Sequence, residues 1–295
     1  TGVELAVAAF LNIGEDHISP KEHPTPEDYF QSKLMIFDQA KSAVVNLDSD
    51  RAEEILAAAG PHGPVSTYSL TSVRDLARTG EGMTFTLSLD GTDETFTLPL
   101  TGNFNVSNAL CAISVCAMAG APLRAIREGL AQAHVPGRME TYANQGKTVI
   151  VDYAHNGMAL EALLRSVRAD YPGAPITLLF GCTGGKGLDR REGMGKAAGQ
   201  YADAILLTED DPGPEEVEDI CAEIGTYIAP FGKTWTVIPD RERAIQAAIE
   251  TAPKGAVVVL AGKGSEMEQK RKNGPEPCVP DGMLARKYLG LPLGG

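Results

Sequence analysis

The stretch AVVVLAGKGSE (256–266) runs six apolar residues and then stops at Gly262-Lys263-Gly264-Ser265-Glu266. A run this short, bounded by glycine, reads as a strand buried on both faces. The same design occurs four more times, in TVIVDYAHN (148–156), PITLLFGCTGGKG (175–187), AILLTEDDPG (204–213) and TWTVIPD (234–240). Stretches with helical periodicity separate these runs. Apolar strands alternating with amphipathic helices predict a mostly parallel, Rossmann-like sheet covered on both faces. Ligands of such sheets bind beyond the carboxyl ends of the strands. The polar residues that end each run are therefore the first candidates for a site.

Upstream, the pattern is more mixed. Residues 6–13 read as a strand, PTPEDYFQSKLMIFDQA (24–40) as a helix, and SAVVNLDSD (42–50) as a strand ending in acids. Thr25 is the expected N-cap, with Pro26 at the first helical position. MTFTLSL (83–89) and ETFTLPL (94–100) alternate about Asp90-Gly91 and predict a hairpin. Two helices are expected in NVSNALCAISVCAMAG (105–120) and PLRAIREGLAQA (122–133). VPGRMETYANQGK (135–147) reads as a polar connection. The domain boundary is placed there, giving an α/β domain over 1–140 and a second over 141–295.

The chain has 295 residues and a net charge of −13. That charge argues against a broad nucleic-acid or anionic-membrane surface. Lys270-Arg271-Lys272 reads as a solvated face. Five scattered cysteines without a CxxC pair fit a reducing cytosol rather than a disulfide framework or structural zinc. No apolar run is long enough to span a membrane, and no signal peptide is visible.

A phosphate loop is not found. TYANQGKT (141–148) and FGKT (231–234) precede strands, whereas a phosphate loop follows a strand and opens a helix. In GGKG and AGKG a glycine stands where the loop needs a hydroxyl. Asp16 and His17 could be metal ligands or ordinary surface groups, and Lys33 alone reads as a plain exposed lysine. Asn105 and Asn108 lie three apart on one helix face, and an amide can pair with an adenine edge. A carboxylate such as Asp152 can hold a ribose hydroxyl or orient a cation, and His155 either serves function or caps the next helix. Lys186, Arg190 and Arg191 offer positive charge to a carboxylate or phosphate. Glu209, Asp210 and Asp211 repel one another, which implies a solvated turn or a cationic ligand. Gly262 and Glu266 again join open backbone to an acid. Positive and negative groups around one crevice suit an amino acid with a basic side chain.

Seven motifs in order resemble the Mur ligases of peptidoglycan synthesis: NIGEDH…YFQSK, GNFNVSNAL, PGRME, DYAHN, FGCTGGKGLDRREGMG, TEDDPGPE and AGKGSE, spanning residues 12–266. The resemblance implies a partial central ATPase-type domain followed by a Rossmann-like amino-acid-binding domain. It implies ATP-dependent amide bond formation through an acyl phosphate on UDP-MurNAc-L-Ala-D-Glu, by a cytoplasmic, monomeric enzyme. By resemblance, His17 and a carbamylated Lys33 hold Mg2+, Asn108 with Asn105 meets adenine, and Arg138 and Asp152 meet the nucleotide. His155 would face the UDP-linked peptide. Family members that add meso-diaminopimelate carry DNPR, whose Arg binds the extra carboxylate; here Asp210-Asp211-Pro212-Gly213 stands instead. Gly213 removes that cation and Asp211 adds an anion, so L-lysine is the expected acceptor. Asp210 and Glu266 would take its side-chain ammonium, and Lys186 would replace an Arg near its α-carboxylate. Ornithine, meso-diaminopimelate and a non-catalytic binding module stay open as alternatives. The resemblance starts midway through the central domain, so this chain is expected to be a fragment inactive alone, without the phosphate loop.

Overall fold

A computed structural model describes residues 2–14, 23–79 and 82–292. The chain divides into two compact units, Thr1–His134 and Val135–Gly295, slightly ahead of the expected boundary.

In the first unit, β1 (Ala8–Phe10), α1 (Pro26–Leu34), β2 (Ala43–Asn46), α2 (Ala52–Ala59) and β3 (Val65–Tyr68) build a three-stranded parallel sheet in the order β1-β2-β3. β2 is buried throughout because it carries two cores. Ala43 and Val45 join Phe10, Phe30, Phe37 and Ile55, while Val44 joins a cluster with Val106 and Leu110. A continuous apolar run is what a strand covered on both faces requires. Thr25 caps α1 by accepting from the Asp28 amide at 3.1 Å, with Pro26 in the first turn.

β4 (Arg74–Thr79), β5 (Gly82–Leu89) and β6 (Thr92–Leu98) then form an antiparallel sheet. Asp90 and Gly91 both have positive φ, 50° and 79°, as a two-residue hairpin turn demands. Phe85 and Phe96 face each other and stack at 5.5 Å between centroids. They pack with Met83, Leu87 and Leu98 against the buried face of α3 (Asn103–Met118) and Ile126 of α4 (Leu123–Ala131). α2, β3 and β4 lay outside the expectations. β4 is exposed along its whole length, so its sequence, RDLART, carries no alternation to read.

The second unit contains β7 (Glu140–Asn144), β8 (Lys147–Asp152), α5 (Gly157–Asp170), β9 (Ile176–Phe180), α6 (Asp189–Tyr201), β10 (Ala204–Leu207), α7 (Val217–Ile228), β11 (Thr236–Val237), α8 (Arg241–Thr251), β12 (Val257–Ala261), β13 (Glu268–Arg271), β14 (Gly274–Pro277) and α9 (Asp281–Leu289). Its six-stranded sheet runs β11-β10-β9-β12-β8-β7, parallel except for the β7–β8 pair. All five apolar runs are strands of this sheet. β12 sits between β8 and β9, so the last run to be made is central. Val149, Val151, Val258, Leu260, Leu179 and Leu206 share one face with Ala244, Ile245 and Ala248 of α8 and Leu284 and Ala285 of α9. Each such buried aliphatic side chain contributes about 1.5–3 kcal/mol. The polar connection was misread: Glu140–Asn144 is an edge strand, paired antiparallel to β8. Having one edge free, β7 needs no apolar run.

Candidate functional site

In the first unit, Asn105 is buried and donates from Nδ2 to the Thr101 carbonyl at 2.8 Å. Its Oδ1 accepts from Asn108 Nδ2 at 3.4 Å. The inner amide thus orients the outer one, and Asn108 lies exposed on the first turns of α3. Lys33 is exposed on the last turn of α1, its Nζ 5.1 Å from the Tyr29 ring centroid. His17 lies outside the described residues. Among the described residues no group of three His, Cys, Asp or Glu could hold a metal ion.

In the second unit, Asp152 ends β8 almost fully buried. Its two oxygens accept from the amides of Met139 (2.9 Å) and Ala154 (2.8 Å). Burial raises its pKa, against those amides and the Arg138 charge. Asp152 thus pins the PGRME segment to the strand end. Arg138 is exposed, with its guanidinium 4.7 Å from the Tyr153 ring. His155 does not cap α5. Asn156 does, accepting from Ala159 at 2.9 Å, while His155 Nδ1 lies 2.8 Å from the Tyr153 carbonyl.

The loop after β9 separates its three expected cations: Arg190 and Arg191 are buried and Lys186 is not. Lys186 is exposed at the tip. Arg191 is buried, and its guanidinium pairs with Glu215 at 2.9 Å and with Glu223, and reaches the Thr183 carbonyl. Glu215 also accepts from the Gly185 amide. Arg191 was expected to face a ligand carboxylate; here its guanidinium is held by Glu215 and Glu223, and it braces the TGGKG loop.

The ends of β10 and β12 meet in a cluster of buried charge. Glu209, Asp210 and Asp211 are 7%, 6% and 8% exposed, so the solvated turn expected for three adjacent acids is not formed. The neutralising cations come from the chain itself. Arg271 clasps both oxygens of Glu209 at 2.9 and 2.7 Å. Lys263, buried, donates from Nζ to Asp211 Oδ1 (2.8 Å), Glu266 Oε2 (2.5 Å) and the Glu268 carbonyl (2.6 Å). Asp211 also accepts from the Lys270 amide at 2.9 Å, and the Lys270 ammonium lies 3.2 Å away. Its pKa stays below the ordinary value, since these partners outweigh burial. Asp211 is therefore not a free anion here: Lys263 and Lys270 both lie against it. Arg271 and Lys270 are likewise no simple solvated face.

Asp210 differs from its neighbours. Among the described residues it has no hydrogen-bond donor or ion-pair partner; burial raises its pKa to about 7, with Arg241 and Lys263 pulling it down and Asp211 and Asp281 pushing it up. Gly262 covers it. At φ +108° a Cβ on Gly262 would sit 2.3 Å from Asp210 Oδ2, so only glycine allows this approach. Glu266 accepts from Tyr153 Oη at 2.7 Å on its other oxygen. Gly262 thus lies against Asp210, and Lys263 lies between Asp211 and Glu266.

Sequence reasoning missed the supports of this cluster. Arg241 Nε and Nη2 bind Asp281 at 2.9 and 2.6 Å, and Nη2 also reaches the Ala261 carbonyl at 3.0 Å. A cavity of about 340 Å³ adjoins them, lined in part by Glu209, Arg241, Lys263, Gln269, Arg271 and Asp281. The one available signal was charge placed just after the apolar run TWTVIPD, at Arg241. Its partner Asp281 lies 40 residues on, beyond any local pattern.

The Mur ligase middle domain matches residues 1–116, and the Mur ligase glutamate ligase domain matches residues 137–264. The chain is 36% identical over 298 residues to a UDP-N-acetylmuramoyl-L-alanyl-D-glutamate–L-lysine ligase of Enterococcus faecalis, covering 96% of this chain and 58% of that ligase. It is 38% identical over 296 residues to the ligase of the same name from Streptococcus sanguinis, covering 98% and 59%. Among solved structures, a UDP-N-acetylmuramoyl-L-alanyl-D-glutamate–2,6-diaminopimelate ligase is 30% identical, with a TM-score of 0.57 over 98% of this chain and 61% of that one. Mycobacterium tuberculosis folylpolyglutamate synthase shares the fold at 22% identity, with a TM-score of 0.73 over 96% and 64%. The chain thus spans less than two thirds of the length of these curated relatives. With seven motifs in order, both domains matched and a sheet whose strand ends carry those motifs, the chain belongs to the Mur ligase family.

Proposed function

We propose that this chain is the nucleotide- and acceptor-handling part of an ATP-dependent ligase that adds L-lysine to UDP-MurNAc-L-Ala-D-Glu in the cytoplasm. The observation that carries the choice of acceptor is Asp210: a buried carboxylate with no hydrogen-bond or ion-pair partner among the described residues, felt by Arg241 and Lys263 only through their charge, beside a glycine at 213 where a carboxylate-binding Arg would stand. A second ammonium is the group that such a site lacks. A second carboxylate would add repulsion to it.

In this reading ATP phosphorylates a carboxylate of the D-glutamyl residue. The lysine α-amine then attacks the acyl carbon, the bond from carbon to the phosphate oxygen breaks, phosphate leaves, and the amine gives up a proton. The chain's part is positioning and charge compensation. Asn108, held by Asn105, meets the adenine edge. Arg138 serves the nucleotide from a segment that Asp152 fixes, and His155 faces the UDP-peptide. Lys186 takes the acceptor α-carboxylate from its exposed loop, and Asp210, with Glu266 nearby, takes the side-chain ammonium. Mg2+ would supply charge neutralisation at the phosphates, with His17 and carbamylated Lys33 as its ligands.

The test is phosphate release in a chain extended to the relatives' length, with ATP, UDP-MurNAc-L-Ala-D-Glu and one acceptor at a time. L-lysine is expected to give the highest kcat/KM, followed by L-ornithine. Preference for meso-diaminopimelate contradicts the reading of Gly213. ATP turnover with none of the three contradicts the reading as a whole.

A further inference from the structure

Lys263 ends the central strand, yet its side chain turns inward and is 2% exposed. An ammonium has three N–H donors. Here all three have acceptors, on Asp211, Glu266 and the Glu268 carbonyl. The two carboxylates are fixed from their far sides as well, Asp211 by the Lys270 amide and Glu266 by Tyr153. The resulting unit is closed: a lysine ammonium saturated by acids, inside a site read as selecting a lysine ammonium.

We propose that Lys263 is a specificity-determining positioning residue, an internal ammonium that engages Asp211 and Glu266 and leaves the buried Asp210 as the acid whose charge the acceptor's side-chain amine would meet. The proposal rests on the acceptor reading above. Without Lys263, Asp211, Glu266 and Asp210 would form a trap of three acids. Such a trap would hold any cation, and its mutual repulsion would keep Asp210 protonated. With Lys263 in place, and the Lys270 ammonium 3.2 Å from Asp211, one negative charge remains for one incoming positive charge.

The groups that face Asp210 come from several elements. Arg241 at the start of α8 and Lys263 after β12 favour its ionised form, whereas Asp211 and Asp281 oppose it. Tyr153 and Cys182 also feel its charge. Amine binding by Asp210 therefore strengthens as pH rises, and Lys263 sets where.

The experiment is L-lysine binding to this chain by calorimetry from pH 5.5 to 8.5. K263M is expected to move the midpoint of binding upward by about one pH unit and to weaken affinity at pH 7 roughly fivefold. K263R, which keeps the cation, should return the midpoint toward wild type. D211N removes an acid that opposes ionisation and should move the midpoint downward, the opposite sign, so the proposal stays testable if K263M does not fold. Unmoved midpoints in folded K263M, or a downward D211N shift that fails to occur, overturn it. A second readout does not need lysine binding at all. In 15N-lysine-labelled protein, Lys263 should give a slowly exchanging ammonium resonance, absent in K263R. If wild type shows that resonance but binds no L-lysine, the acceptor reading falls while the internal ammonium stands; if the resonance is missing, the proposal falls.

Discussion

The two units handle charge in opposite ways. Among the described residues the first unit buries amides and hydroxyls (Asn46, Ser49, Ser69, Thr86, Asn105), and its charged groups stay outside. Arg51, for instance, pairs with Glu27 and Glu54 at the surface. The buried acids and cations all belong to the second unit, from Asp152 to Asp281. Burying a charge is costly unless it is paired. The first unit is built as ordinary core and surface. The second maintains a compensated charge network at one end of its sheet, which a fold alone would not require, and perturbed groups of this kind mark functional sites.

Substitutions can break that contrast. The largest effect on L-lysine binding is expected from G262A. A Cβ there meets Asp210 Oδ2 at 2.3 Å on a backbone at φ +108°, so L-lysine affinity should fall at least a hundredfold, with about 1–3 kcal/mol lost in denaturant unfolding from backbone strain alone. Next is D281N, which leaves the buried Arg241 half-compensated. Breaking such a pair costs about 3–5 kcal/mol, measurable by urea unfolding. R51M in the first unit should leave the unfolding midpoint nearly unchanged. An equal response to the two would remove the contrast.

A pH test follows from Asp210, whose pKa is raised from 3.8 to about 7. Between those values the unfolded chain is ionised there and the folded chain is protonated. Stability from this group is therefore full below about pH 4, falls as pH rises, and is gone above about pH 7. D210N should be more stable than wild type at pH 8 and lose that advantage toward pH 4, as read by thermal unfolding at both pH values. The smallest effect is T25A, which removes the cap of α1 and should cost about 1 kcal/mol with no change in L-lysine binding.

How much of this was legible follows from range. The five apolar runs, the Asp90-Gly91 turn and the Thr25 cap are local, and each appears where its sequence places it. β7 was missed because an edge strand can be polar, and β4 because it is exposed. The strand-end acids were visible as residues, but their partners were not. Lys263 reaches Asp211 across 52 positions, and Arg271 reaches Glu209 across 62. Charge read along the chain made Asp211 a free anion; charge read in space makes it Lys263's counter-ion. Asp210 and Asp211 are adjacent and alike in sequence, and the fold pairs Asp211 with Lys263 and Lys270 while Asp210 has no ion-pair partner among the described residues.

That distinction is tested most directly by calorimetric L-lysine affinity of D210N and D211N at pH 7.5. D210N is predicted to lose at least tenfold, and D211N to stay within about threefold of wild type. A D211N loss equal to or larger than that of D210N would contradict the assignment of the acceptor amine to Asp210.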